Sequence, residues 1–83
     1  MTIQSYTGSI NTNNEYVSVA SETGVTFTNG NSYTMQVQNS AYLKIGDAEF
    51  YVSNEKFQYK AGSETLYIKT SLSGCVLTIL EGE

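Results

Sequence analysis

Few side chains in this 83-residue chain are suited to acid–base or nucleophilic chemistry, since it contains no histidine and one cysteine, Cys75. Histidine is the usual general base near neutral pH, so its absence removes Ser-His and Cys-His nucleophile systems. Cys75 opens an apolar segment and has no cationic neighbour in sequence, which predicts a buried, unreactive thiol. These residues predict that the protein is not an enzyme.

Asp47 and Glu49 are the carboxylates best spaced for a joint role. They lie two positions apart, so in a strand both would lie on one face. Such a pair can bind Ca²⁺ together with backbone oxygens, but the surrounding segment lacks the oxygen-rich run of a dedicated calcium loop. The chain also contains no GxGxxG or GxxxxGK pattern, which would indicate a phosphate-binding loop. We therefore expect a solvated acidic turn, with neither a metal nor a cofactor.

The charge distribution limits the partners that the chain can bind. The net charge is −4, and the cations are four scattered lysines, at positions 44, 56, 60 and 69. Nucleic acids and anionic membranes attract coherent cationic surfaces, so we expect neither as a partner. No apolar run approaches the roughly 20 residues that span a bilayer. The first four residues lack the basic and apolar regions of a secretory signal, which predicts synthesis in a cytoplasm.

Tyrosine is the dominant aromatic residue, and three tyrosines occupy similar pattern positions. Tyr42, Tyr51 and Tyr67 each alternate with apolar neighbours, so they are predicted to point away from the core. Exposed tyrosines can anchor a protein interface, stack on sugars, or form cross-strand pairs on a solvated sheet. We favour the interface over the plain surface, and place glycan binding third because glycan sites more often contain tryptophan, which the chain lacks.

The elements that position these side chains are predicted to be strands. Short segments alternate apolar and polar residues, Asn and Gly cluster between them, and no ten-residue stretch has helical spacing. Asn29-Gly30 predicts a tight hairpin between residues 25–28 and 33–38. Further strands are predicted at residues 3–10, 16–20, 43–45, 50–52, 56–60, 65–69 and 75–80. Asn39-Ser40 predicts a break between strands, and the acidic residues 81–83 are expected to fray. We expect an all-β fold, an antiparallel sandwich or barrel of roughly 7–9 short strands. Residues 1–83 would form one domain, with residues 1–14 as an arm or a weaker N-terminal hairpin.

The last predicted strand is apolar on both faces. Cys75, Leu77 and Ile79 share one face, whereas Val76 and Leu80 lie on the other. Such a strand needs cover on both sides, which either the N-terminal segment or another chain could provide. A β domain of this size without a disulfide is marginally stable, which favours a neighbouring subunit. The candidate interface residues are therefore Tyr42, Tyr51, Tyr67, Val76 and Leu80.

Three stretches resemble a type of small tailed-phage virion protein. They are GNSYTMQVQN at residues 30–39, FQYKAGSETLYIK at 57–69 and VLTILE at 76–81. The first follows the family's Gly-x-x-Tyr-x-hydrophobic-Gln-x-x-Asn strand, the second its Leu-Tyr-hydrophobic strand, and the third its closing strand, which ends in an acidic residue. The resemblance implies a structural virion protein, made in a bacterial cytoplasm, that acts as a minor capsid, decoration, head-fibre or tail component. Its partners would be other virion proteins or further copies of itself.

Overall fold

The computed structural model describes residues 4–82, and this part of the chain forms six strands and one short helix. All strand pairs are antiparallel, which confirms the predicted all-β fold. The elements are β1 (Ser5–Ile10), β2 (Val17–Ser18), α1 (Val19–Thr23), β3 (Ser32–Ile45), β4 (Ala48–Lys60), β5 (Leu66–Lys69) and β6 (Cys75–Glu81).

Strand β3 is the centre of a single curled sheet, whose strand order is β1-β6-β3-β5-β2. The first half of β3 pairs with β6, where Val37 lies opposite Leu77. Its second half pairs with β5, where Leu43 lies opposite Ile68. On its other side, β3 pairs with β4 along almost its whole length. The sheet therefore has two halves that share β3 and β4.

A bend in β3 and β4 separates these two halves. The register between the strands shifts between Val37 and Ser40, as in a β-bulge. Asn39 has φ of 74° and Asn54 has φ of 49°, a left-handed conformation that asparagine adopts more readily than most residues. The Asn39 N–H also donates to Asn54 Oδ1 at 3.0 Å, so the two residues hold the bend together.

The core lies on the concave face of the curled sheet. The alternating pattern of β3 buries Tyr33, Met35, Val37 and Leu43 completely. From the neighbouring strands, Ile68, Leu77 and Ile79 are also almost fully buried. The strand-period pattern thus predicts the buried face correctly, because side chains alternate across a pleated strand.

The strands are fewer and longer than predicted. Residues 33–38 and 43–45, predicted as two strands, are both parts of β3, and two further predicted strands merge in β4. The predicted Asn29-Gly30 hairpin is wrong, because residues 25–28 form no strand. The turn itself is present, with Gly30 at φ of 92°. Instead of pairing, the preceding segment packs the Phe27 ring edge-on against Tyr33, with ring centroids 4.8 Å apart.

Helix α1 was not predicted, because its five residues are too few for helical periodicity to be visible. Residues 16–20 were predicted as a strand, but β2 ends at Ser18, whose side chain accepts from the Ser21 N–H and caps the helix. Gly24 ends the helix in the left-handed conformation at φ of 76°. Val19 is fully buried, so α1 closes one end of the core.

The N-terminal segment lies beside β6 in the sheet and not over it. β1 pairs with β6 from Ser5 opposite Leu80 to Ile10 opposite Cys75, whereas Ile3, where a first strand was predicted to begin, lies outside the described residues. The predicted fraying of the acidic C-terminus is wrong for Glu81, which belongs to β6 and binds the Gln4 N–H, while Glu83 lies outside the described residues. Of the helices in the described part, none could span a membrane.

Candidate functional site

One half of the outer sheet surface carries a cluster of tyrosines and charged residues, which we call the tyrosine face. Residues with side chains on this surface alternate with core residues along β3, β4 and β5. In β3, for example, Tyr42 lies between the buried Ala41 and Leu43. The tyrosine face comprises Tyr16, Tyr42, Lys44, Glu49, Tyr51, Tyr67 and Lys69.

The three predicted interface tyrosines are exposed on this face. The exposed fractions are 42% for Tyr42, 54% for Tyr51 and 38% for Tyr67. Tyr42 and Tyr51 lie directly opposite each other on β3 and β4, with ring centroids 5.1 Å apart. Tyr67 lies on β5 opposite Lys44. The register therefore places all three tyrosines on one surface. Lys44 lies on β3, between the strands that contain Tyr51 and Tyr67.

Lysine side chains lie over the tyrosine rings. The Lys69 Nζ is 5.0 Å from the Tyr42 ring centroid and 4.9 Å from that of Tyr16. The Lys44 Nζ is 5.6 Å from the Tyr16 ring centroid. Contacts of this length are cation–π interactions, which hold the aromatic rings in place on an exposed surface. The face thus presents ordered rings and positive charge together.

Tyr16 belongs to this face, although its place in the sequence predicts no role for it. It immediately precedes β2, and its hydroxyl donates a hydrogen bond to the Glu49 carboxylate on β4. Burial of the phenol, followed by this hydrogen bond, raises the pKa of Tyr16 to about 12. Since Tyr16 and Glu49 are 33 positions apart, no sequence spacing could have indicated their contact. Glu49 is thereby engaged by a phenol, and Asp47 lies exposed in the β3–β4 turn.

The two apolar candidates, Val76 and Leu80, lie on the other half of the outer surface, beyond the bend. They are opposite Gln38 and Thr34 of β3, among polar side chains. Leu80 is 53% exposed, whereas Val76 is half-buried. The structure thus brings the three tyrosines together and separates the two apolar residues from them.

A second surface feature lies on the inner side of β4, at the open margin of the curled sheet. It is a groove of about 670 Å³, and we call it the β4 groove. Phe50 is 38% exposed there and packs edge-on against Phe57, with centroids 6.4 Å apart. Its lining includes the core-face residues Ile45, Phe50, Val52, Phe57 and Tyr59, and at the strand edge Tyr51 of the tyrosine face. Glu55, Lys60 and Glu64 are also among its lining residues.

A further cavity of about 540 Å³ lies between α1, residues 24–27 and the β4–β5 loop. Residues 62–64 of that loop line both this cavity and the β4 groove, so they form the wall between them. Its lining mixes small polar side chains such as Ser18 and Ser63 with apolar residues. The cavity therefore offers space for a ligand, but among the described residues that line it Glu64 alone is charged.

The titratable groups with altered acidity are spread over the molecule. Burial raises the pKa of the Cys75 thiol, as expected for the inert thiol that the sequence predicted. The pKa of Glu81 is lowered, first by the Gln4 backbone N–H and then by the Asn31 amide. Among residues 4–82, no three His, Cys, Asp or Glu side chains lie close enough to hold a metal ion.

Comparison of the chain with protein-family models, with curated proteins and with solved structures finds no match. We therefore infer the function from the geometry of two surfaces, the tyrosine face and the β4 groove.

Proposed function

We propose that this protein is a non-enzymatic structural protein that acts through protein–protein contacts, as a component of a tailed-phage particle. The observation that carries this proposal is the tyrosine face, on which Tyr42, Tyr51 and Tyr67 are exposed together. Tyrosine is enriched where proteins bind each other, because its ring buries a large area and fixes few rotatable bonds. A cluster of exposed tyrosines on a rigid sheet suits a docking surface.

The arrangement of the remaining groups supports a contact role over catalysis. The burial that raises the pKa of Cys75 keeps that thiol protonated and poorly nucleophilic. Glu81, which also has a shifted pKa, uses its carboxylate to join β6 to Gln4 and Asn31. These groups stabilise the sheet and do not converge on either cavity. Chemistry on a substrate would need such a convergence.

The phage setting rests on the three stretches that resemble small virion proteins. Residues 30–39 enter the first half of β3, residues 57–69 end β4 and include β5, and residues 76–81 lie in β6. A particle would supply adjacent subunits at high local concentration, and binding to the folded form stabilises a small domain by mass action. We propose a minor capsid, decoration, head-fibre or tail position for this chain.

The proposal is tested on particles assembled by the virus that encodes the chain. Particles are purified by density gradient, and their proteins are identified by mass spectrometry. We expect the chain in stoichiometric amounts. A triple variant with Tyr42, Tyr51 and Tyr67 changed to Ser should fold, because all three are exposed, but should be lost from the particles.

Leu72→Ala is the matched control, because Leu72 is 66% exposed in the loop between β5 and β6 and does not belong to the tyrosine face. This variant should remain attached to particles. If wild-type chain is absent from purified particles, or if the triple variant attaches as well as wild type, the proposed contact role is wrong.

Glycan binding is the second candidate, and the adjacent Tyr42 and Tyr51 rings favour it. Exposed aromatic rings on one surface can stack on sugar faces, and Lys69 could donate to sugar hydroxyls nearby. A glycan array probed with the purified chain tests this alternative. Reproducible binding that Tyr42→Ala and Tyr67→Ala remove would support a receptor-binding module in place of the structural role.

A further inference from the structure

The outer edge of β4 has no partner strand within the described chain. β4 pairs with β3 alone, whereas β3 pairs with further strands on its other side. Such an edge is a template for another strand, and natural edges are often protected by proline, by charged side chains, by bulges or by being short. β4 runs from Ala48 to Lys60, contains no proline, and has charges of both signs, including Glu49 and Lys60. Its inner side also forms the partly uncovered β4 groove.

Two hydrogen bonds establish which backbone groups of β4 point to the free edge. The Gly82 N–H donates to the Ser32 carbonyl, so Ser32 faces β6, while the Ala61 N–H donates to the Asn31 carbonyl on the β4 side. Backbone direction alternates along a strand, so Tyr33, Met35 and Val37 face β4. Their register partners on β4 therefore face β3, and Lys56, Gln58 and Lys60 face outwards.

The bend at Asn54 changes the phase of this alternation. Before it, Phe50 and Val52 have side chains on the core face, at even positions, whereas Phe57 and Tyr59 occupy that face after it, at odd positions. Side-chain and hydrogen-bond directions alternate together in a strand of L-residues. The free backbone groups before the bend therefore belong to Glu49, Tyr51 and Ser53.

We propose that the β4 edge binds the β4 edge of a second copy of this chain, antiparallel about a twofold axis near Asn54 and Glu55. This inference rests on the proposed contact role, and it names the partner and the register. With the axis near the bend, odd-numbered free positions before it face even-numbered free positions after it, so the numbers of opposed residues must sum to an odd value. Because of the phase change at Asn54, these registers also place the core-face residues of one copy opposite the core-face residues of the other.

The register that opposes Glu49 to Lys60 pairs opposite charges at both ends and apolar groups on the groove side, with the two Glu55 side chains near the twofold axis. In it, hydrogen-bonded positions pair oppositely charged Glu49 and Lys60, and Tyr51 with Gln58. On the groove side, Phe50 lies opposite Tyr59, and Val52 opposite Phe57. Aromatic, aliphatic–aromatic and opposite-charge pairs are favourable across strands. Twofold symmetry makes each contact twice, and the closed pair leaves neither β4 edge free.

Registers shifted by two residues are less favourable. In one direction, Val52 meets the Glu55 carboxylate on the groove side, which opposes an apolar side chain to a charge. In the other, Glu49 lies opposite Gly62, beyond the end of β4, and loses its cationic partner. Charge complementarity and groove packing therefore select the same pairing, with Glu49 opposite Lys60.

The test measures the mass of the full chain in solution by sedimentation equilibrium. Wild type should have twice the 9.1 kDa chain mass at about 100 µM, and should dissociate on dilution. Glu49→Lys and Lys60→Glu each oppose like charges at two symmetric contacts. Each single variant should weaken dimerisation about 10- to 100-fold.

Mixing the two single variants should restore the dimer. In a mixed pair, Lys at position 49 meets Glu at position 60, and Lys60 of the first variant meets Glu49 of the second. Glu22→Lys, an equal charge change at an exposed position of α1, should leave dimerisation unchanged.

A wild type that stays monomeric at 100 µM overturns the inference, as does a dimer that neither charge reversal weakens. Failure of the mixed variants to associate, with both folded by circular dichroism, overturns the register. These outcomes are separate from the particle test: a monomer that attaches to particles through the tyrosine face refutes the dimer alone. A dimer that is absent from particles refutes the phage role alone.

Discussion

Thr12 and Thr70 form a reciprocal pair of hydrogen bonds that joins two loops of the sheet. The Thr12 N–H donates to Thr70 Oγ1 at 3.0 Å, and the Thr70 N–H donates to Thr12 Oγ1 at 2.8 Å. Both residues are buried, with exposed fractions of 6% and 1%. The pair connects the segment after β1 to the segment after β5, so it fixes how the two halves of the curled sheet meet at that end.

Thr70→Val is the perturbation that removes this contact, together with the hydrogen bond that the Thr70 hydroxyl donates to the Ser71 carbonyl. Valine keeps the shape of threonine but replaces the hydroxyl with a methyl group, so packing is conserved while the acceptor for the Thr12 N–H is lost. A buried backbone donor left without a partner costs about 1–3 kcal/mol. For a domain of this size, that loss lowers Tm by about 5–20 °C.

The assay is urea unfolding at neutral pH, followed by circular dichroism at a fixed chain concentration. We expect a lower midpoint with an unchanged slope, because the area exposed on unfolding is the same. Thr65→Val is the control. It makes the same chemical change at an exposed position, where no buried donor loses its partner. A loss below about 0.5 kcal/mol in Thr70→Val would refute the reasoning, because it would equal the effect of an ordinary surface substitution.

Three further substitutions test particular contacts. Gly74→Ala should destabilise the fold by about 1–3 kcal/mol in urea, because its φ is 74° and a Cβ there would lie 2.6 Å from the Ile10 carbonyl oxygen; wild-type stability would contradict this. The lowered pKa of Glu81 means that its stabilisation is present above pH 4.5 and is lost as the pH falls through the lower folded value. Glu81→Gln should therefore reduce the fall in the free energy of unfolding on acidification. An unchanged pH dependence would contradict this role of Glu81. In an absorbance titration, the tyrosine ionisation step with a pKa of about 12 should be absent from Tyr16→Phe. If the step persists, that pKa belongs to another residue.

The sequence pattern predicts which faces are buried but not where the strands end. Alternation marks Tyr33, Met35 and Val37 as core residues, and all three are fully buried. From sequence, Asn39-Ser40 predicts a break between strands, since asparagine is common in turns. In the structure, Asn39 instead adopts a positive φ within a continuous strand, where its N–H binds Asn54. A bulge and a turn use the same residue types, so composition alone does not distinguish them.

The tyrosine face could be predicted only in part, for a related reason. Period-two alternation places Tyr42, Tyr51 and Tyr67 on outer surfaces, but it does not specify which strands are neighbours. Tyr16 joins them because β2 pairs with β5, a contact between segments about fifty positions apart in the chain. For the same reason, Val76 and Leu80 were grouped with the tyrosines, although the bend in β3 places them on the other half of the sheet.

The bend links the core to both candidate surfaces. By changing the phase of β4, Asn54 allows Phe50 and Val52 before it, and Phe57 and Tyr59 after it, to share the core face. Without the phase change, one of these pairs would point to solvent, and the groove would lose two of its apolar lining residues. The same change makes β4 self-complementary about its own centre, because a twofold axis exchanges the segments before and after the bend. A feature required for packing within one chain therefore also creates an edge that matches its own copy.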